Sequence, residues 1–177
     1  KIGAPADWTG VRVSPVAVGL GVAALVGAVP ALDPARLYAE AALLATRADI
    51  REELDRLAAL PRTSVYLDGT HSAWLGVGDI ADRLVKAGVA KADGFFLNVS
   101  NYETTERQLK LGNWISKCIW YGTRGPAEAR GHFEQCASQY YPADPNDFST
   151  WVKTDAWYAD NVGQVSPDRL AHFVIDT

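Results

Sequence analysis

The sequence has few of the features that mark several common functional classes. No cluster of lysine and arginine occurs anywhere in it: seventeen basic residues stand against twenty-one acidic ones for a formal charge of -4. A surface that tracks phosphates is therefore not expected, and nucleic acid is excluded as the expected partner. Cysteine is scarce, with Cys118 and Cys136 alone. Neither has a histidine at zinc-ligand spacing beyond the single coincidence of His132 with Cys136, so no metal site is expected. His132 and His172 read as structural. There are no internal repeats and no low-complexity tract.

Acidic residues are missing between Asp7 and Asp33. That gap contains the one long apolar run, VAVGLGVAALVGAVP at residues 16–30, which follows Lys1 and Arg12 and precedes Ala31. It is too short for a membrane span, so stable membrane insertion is not expected. Three readings fit it: a secretory signal core with a small-residue cleavage site, a buried strand and turn, or a stretch foreign to the domain that follows. Residues 1–32 are therefore set apart as an atypical N-terminal segment.

What is present is an ordinary globular composition, 48% hydrophobic and 21% charged over 177 residues, with six tryptophans and seven tyrosines. Aromatic rings with a polar tip suit half-wet clefts as well as cores. Asp33-Pro34 reads as a helix cap, and Leu37, Ala41, Leu44, Ala48, Arg51, Leu54 and Ala58 recur at near-helical spacing. One long helix or two consecutive ones are expected up to Pro61. TSVYLDG reads as a buried strand, and Asp79 as the cap of a short helix that ends at Gly88. GFFLNVS is a second strand, TTERQLKLGNWISKCIW a helix with Leu109, Trp114, Ile115 and Ile119 on its apolar side, and AHFVIDT a last strand. Strand, helix and strand in about 35 residues make a βαβ unit and imply a parallel sheet. Residues 121–167 read as an irregular aromatic insertion. Trp114, Trp120 and Tyr121 are expected to be core or loop anchors, and Trp151 and Trp157 fit either a cleft wall or packing.

The two cysteines, eighteen positions apart, fit either two buried thiols or one disulfide. In the latter case the closed loop stabilises by roughly 3 kcal/mol on a chain-entropy argument. The three strands share a chemistry at their ends: Asp68 after Val65-Tyr66-Leu67, Asn98 and Asn101 after Phe95-Phe96-Leu97, and Asp176 after Phe173-Val174-Ile175. In a parallel α/β barrel such positions line the active-site face. Aspartate and asparagine are also common at turns, but three such ends together, with His71 and Trp74 beside the first, favour a site.

VYLDGTHSAWLGVGDIADRL, GFFLNVSNY and HFVIDT together resemble the second half of a glycoside hydrolase family 6 catalytic domain, the family of cellulases and cellobiohydrolases. The insertion KCIWYG through CASQYYPADPNDFSTW is similar to that of the bacterial endoglucanase-like members. The resemblance runs from about Thr63 to Thr177. It implies part of a modified parallel α/β (TIM-like) barrel, incomplete in this chain, over residues 33–177. It further implies inverting hydrolysis of β-1,4-glucosidic bonds in cellulose or related β-glucans, no cofactor or metal, an extracellular setting, and a Cys118–Cys136 disulfide. A β-1,4-glucan or cello-oligosaccharide is the implied partner.

Matched residue by residue, Asp68 falls on the aspartate of the family's YLDAGH block, near the catalytic centre. His71 and Trp74 fall on positions that contact sugar rings, and Asn98 and Asn101 on the NVANY block expected to hydrogen-bond sugar hydroxyls. Gly69-Thr70 replaces Ala-Gly, a departure expected to keep a small flexible turn. The family's EPD and RDC acidic motifs are absent, as is the segment beyond IDT. An inverting glycosidase needs a raised-pKa acid and, normally, a base across the ring. The chain is therefore expected to be a partial domain without its proton donor; a degenerate, noncatalytic β-glucan-binding protein is the alternative.

Overall fold

The computed structural model describes residues 48–60, 63–99 and 102–177. The apolar run at 16–30, the first half of the helix expected from Asp33, and Asn101 lie outside them.

The described chain is α/β. Helix α1 (Ala48–Ala58) precedes strand β1 (Tyr66–Asp68), helix α2 (Val77–Ala87), strand β2 (Gly94–Leu97), helix α3 (Thr105–Arg124), helix α4 (Val152–Asn161) and strand β3 (Phe173–Ile175). The strands form a parallel sheet in the order β1-β2-β3, with Leu67 beside Phe95 and Phe95 beside Phe173. Both connections contain a helix, as parallel pairing requires, so the βαβ unit and the parallel sheet read from the sequence are present.

The core lies between the sheet and α2 and α3. Ile80, Leu84, Phe95, Leu97, Leu111 and Ile115 are fully buried there. Gly112 lets α3 approach β3, because a Cβ at this position would lie 2.4 Å from the Phe173 ring. At the other end of α2, Gly88 has φ +97° and its amide closes onto the Leu84 and Val85 carbonyls, which is the C-terminal cap expected from its position. Leu54 of α1 seats against this glycine. Two further contacts hold α1 there: the Arg51 side chain donates to the Lys86 carbonyl at 2.7 Å, and Lys91 pairs with Asp55.

Four expectations need correction. Helix α2 begins at Val77 with Gly76 as its cap, so Asp79 lies inside the first turn rather than before it; its charge still faces the positive end of the helix dipole. Leu109 is 47% exposed, because the inward stripe of α3 runs through Gln108, Leu111, Gly112 and Ile115. The same helix continues four residues beyond Trp120, since Tyr121 and Gly122 are still buried. Finally, residues 121–167 are not wholly irregular but contain α4, whose Thr154 and Tyr158 face inward. With only one apolar contact per turn on that face, α4 carries little hydrophobic periodicity to read. Among the described residues no helix is long and apolar enough to cross a membrane.

Trp151 is fully buried, 5.2 Å from Trp114, and its indole N–H donates to the Asp144 carbonyl. It is a core residue, not a cleft wall. Trp157 packs edge-on against Tyr121 and Tyr158. Trp114 is buried as expected and donates to Asp155. His132 is exposed and pairs with Glu134 at 2.8 Å.

Candidate active site at the carboxyl ends of the strands

The polar strand ends do converge. Past β1 the Gly69 amide donates to the Phe96 carbonyl at 2.8 Å; past β2 the Asn98 amide donates to the Thr70 carbonyl at 2.9 Å; past β3 the Asp176 amide donates to the Leu97 carbonyl at 3.1 Å. Three consecutive strands thus deliver their loops to one edge of the sheet.

Asp68 stands at the end of β1 and is partly buried. Its Oδ1 accepts the Thr70 amide at 2.7 Å, an Asx-type turn that fixes the carboxyl relative to the backbone. Burial pushes its pKa up to about 7, against the pull of that backbone bond. A carboxyl tuned this way can hold or take a proton near neutrality, the property required of a general acid or base.

The turn after Asp68 is strained. Thr70 has φ +65° and Asn98 φ +76°. Asparagine tolerates the left-handed region; a β-branched residue there is a genuine outlier. The small flexible turn expected from Gly69-Thr70 is therefore corrected, since the residue that adopts the left-handed geometry is threonine. Gly69 is needed for a different reason: a Cβ would lie 2.6 Å from the Phe95 ring. The Thr70 hydroxyl is buried with no hydrogen-bond partner among the described contacts.

His71 and Trp74 follow on one short loop, ring centroids 6.5 Å apart and inclined by 27°. Both are half-buried. Burial lowers the His71 pKa, with the Glu103 charge opposing it, and its Nδ1 accepts the Ala73 amide at 3.3 Å. An accepting Nδ1 belongs to the neutral ring, which leaves Nε2 as its donor.

Asn98, matched to the block expected to hydrogen-bond sugar hydroxyls, has its side chain bonded within the protein. It is 3% exposed. Its Nδ2 donates to the carbonyls of Glu103 and Asp176, and its Oδ1 accepts the Glu103 amide. The side chain is engaged within the protein, locking the loop after β2 to the end of β3. Its geometry is that of a pin between site loops rather than of a free amide.

The loop that carries His71 and Trp74 is fastened by residues that sequence reasoning did not single out. Gln108 of α3 donates to the Ser72 hydroxyl at 3.2 Å. Gln139 donates to the Ser72 carbonyl at 3.1 Å and the Leu75 carbonyl at 2.8 Å. The Tyr140 hydroxyl donates to the Trp74 carbonyl at 2.6 Å. Gln139 and Tyr140 come from the insertion, just after the Cys118–Cys136 disulfide, which is formed as the family resemblance implies. The tyrosine pair in YYPADP was the only available signal for them; an isolated glutamine carries none. The Glu103 charge opposes the burial effect on His71 and adds to it on Tyr140.

A parallel sheet with a proton-tuned carboxyl, a histidine-tryptophan pair and interlocked loops at its carboxyl edge can be set beside known proteins. Endoglucanase 1 of Streptomyces halstedii is 43% identical over 56 residues, 32% of this chain and 17% of that protein. Endoglucanase 1 of Streptomyces sp. (strain KSM-9) is 36% identical over 106 residues, 56% of this chain and 28% of that protein. The solved endoglucanase Cel6 from Mycobacterium tuberculosis, in complex with methyl-cellobiosyl-4-deoxy-4-thio-beta-D-cellobioside, is 34% identical. It covers 58% of this chain and 31% of that one, with a TM-score of 0.41. The chain spans less than a third of the length of each of these relatives. The family model for glycosyl hydrolases family 6 matches residues 34–177, and the chain belongs to that family.

Proposed function

We propose that this chain carries the sugar-holding side of an active site that hydrolyses β-1,4-glucosidic bonds in cellulose or related β-glucans. Asp68 stands at the catalytic centre, His71 and Trp74 contact the sugar rings, Asn98 braces the adjoining loop, and Asn101 hydrogen-bonds sugar hydroxyls. Residues 33–177 are the C-terminal-side portion of a catalytic domain, an incomplete parallel barrel, and the parent enzyme acts outside the cell with inversion. The relatives' shared description as endoglucanases supports the reaction class.

The observation that carries the site is the joint placement of Asp68, His71 and Trp74 where the loops of all three strands meet. A tryptophan face stacks on the apolar face of a glucose ring, while the carboxyl and the imidazole Nε2–H address its hydroxyls. Inverting hydrolysis requires two carboxyl groups roughly 6.5–9.5 Å apart, one protonating the leaving oxygen and one activating water. Asp68 can hold a proton, but the family's EPD acid motif is not in the sequence.

The expected result is cello-oligosaccharide binding without turnover. Titration calorimetry should show binding weakened about tenfold or more in Asp68→Ala and Trp74→Ala, a loss of at least one well-made contact. No reducing sugar should be released from soluble cellulose. Unchanged titration curves for both variants would remove the site assignment, and clear sugar release would refute the missing donor.

A further inference from the structure

The two faces of the parallel sheet differ in how they are covered. Side chains alternate across a strand, and the register sets Leu67 beside Phe95 and Phe95 beside Phe173 on the side of α2 and α3. That side is closed: Phe95 and Leu97 are fully buried, and the Phe173 ring lies against Gly112 of α3. The opposite side carries the row Asp68, Phe96 and Val174, one residue from each strand, with Tyr66 next to it on β1. Among the described residues, Tyr66, Phe96 and Val174 belong neither to the core nor to the side chains packed against it, and Val174 is 45% exposed. Parallel sheets occur almost only with both faces covered, so this apolar row needs a covering layer. We infer that the apolar run at residues 16–30 docks on this face and forms that layer.

Three considerations select this occupant. First, its composition fits an apolar surface: residues 16–30 contain no charged side chain, whereas Arg12 precedes the run and Asp33 follows it. Second, the tether reaches. Residues 31–47 separate the run from the start of α1, and that stretch spans about 25 Å as a helix and up to about 56 Å extended, against roughly 10 Å across three strands. Helix α1 is fixed by Leu54 at Gly88 and by the Asp55–Lys91 pair, only a few residues before β2 begins, so the tether starts close to the sheet.

Third, the face is small. Its strands have three, four and three residues, an area on the order of 200 Å² from strand spacing and rise. A stable contact with a second copy or a separate protein buries about 800 Å² on each partner. A segment of the same chain has no such requirement, because its effective concentration at the face is in the millimolar range and no translational freedom is lost on docking.

The test uses the full 177-residue chain with the photoreactive residue p-benzoylphenylalanine in place of Val174, irradiated at low concentration, digested and read by mass spectrometry. The main product should join position 174 to a peptide from residues 16–30 of the same chain. Leu25→Asp, which sets an unpaired charge in the contact, should lower its yield about tenfold or more. The same probe in place of Val152, an exposed apolar residue on α4, should not give this product. A covalent dimer would mean that a second copy covers the face, and would overturn the inference. So would cross-links to another segment, no cross-link, equal yield from position 152, or no effect of Leu25→Asp. Hydrogen exchange on the unmodified chain is a check independent of the probe: amides in 16–30 should exchange at least about tenfold more slowly than in an unstructured peptide, and Val174→Asp should abolish that protection. Exchange at the unstructured rate in the unmodified chain, or protection unchanged in Val174→Asp, would also overturn it.

Discussion

Thr70 occupies a backbone conformation that its side chain opposes, at φ +65° with its hydroxyl buried and unpartnered. Strain of this kind costs on the order of 1–3 kcal/mol and persists where the surroundings hold it, commonly at functional sites. Here the surroundings are specific: the Thr70 amide donates to Asp68 and its carbonyl accepts from Asn98. Thr70→Gly removes both the steric conflict and the buried hydroxyl, and should raise stability by about 1 kcal/mol after the added freedom of the unfolded chain is counted. Urea unfolding of the two proteins checks this. Asp68 supplies a second prediction at this scale. Its pKa rises from 3.8 to about 7 on folding, so the folded protein keeps a proton that the unfolded chain has released. Stability is then greatest below the unfolded value and falls as pH rises toward 7. Asp68→Asn should abolish about 2 kcal/mol of that decline, a discounted fraction of the full shift for a carboxyl that is only partly buried. Comparing the midpoints of unfolding at pH 5 and pH 8 measures it.

At the scale of elements, legibility followed hydrophobic contrast. β1, β2 and β3 announce themselves as short apolar runs bounded by turn residues, and Gly88 ends α2 where a left-handed residue is required. Helix α4 was invisible because its inward face is Thr154 and Tyr158, and the choice between a cleft wall and packing stayed open for Trp151 because an aromatic in a proline-rich stretch carries no directional signal. The roles of Gln108 and Gln139 were illegible for a related reason. A side chain that bonds to backbone carbonyls leaves no pattern in composition or spacing. The insertion itself makes a prediction. Its disulfide closes residues 118–136 immediately before Gln139 and Tyr140. Reduction, or the double substitution Cys118→Ser with Cys136→Ser, should cost roughly 3 kcal/mol of stability on the loop-entropy argument. Thermal unfolding with and without reductant tests it.

For the whole molecule, the family and the parallel α/β arrangement were legible because three separated blocks fall at the ends of three strands. The chemistry of the site was legible only in part. Residue identity placed Asp68, His71 and Trp74 together, but it gave no indication that burial would tune the carboxyl or that Asn98 would be consumed as a pin. Those properties arise from the low-dielectric packing and the hydrogen-bond partners that only the assembled fold provides.

The fastening of the loop at 71–75 by Gln108, Gln139 and Tyr140 also sets what can be moved between proteins. Transplanted alone into another scaffold, that loop would arrive with the Ser72, Trp74 and Leu75 carbonyls stripped of their donors, and its tryptophan would be presented in many orientations. The graftable module is the loop together with α3 and the stretch just after the disulfide, which carry Gln108, Gln139 and Tyr140.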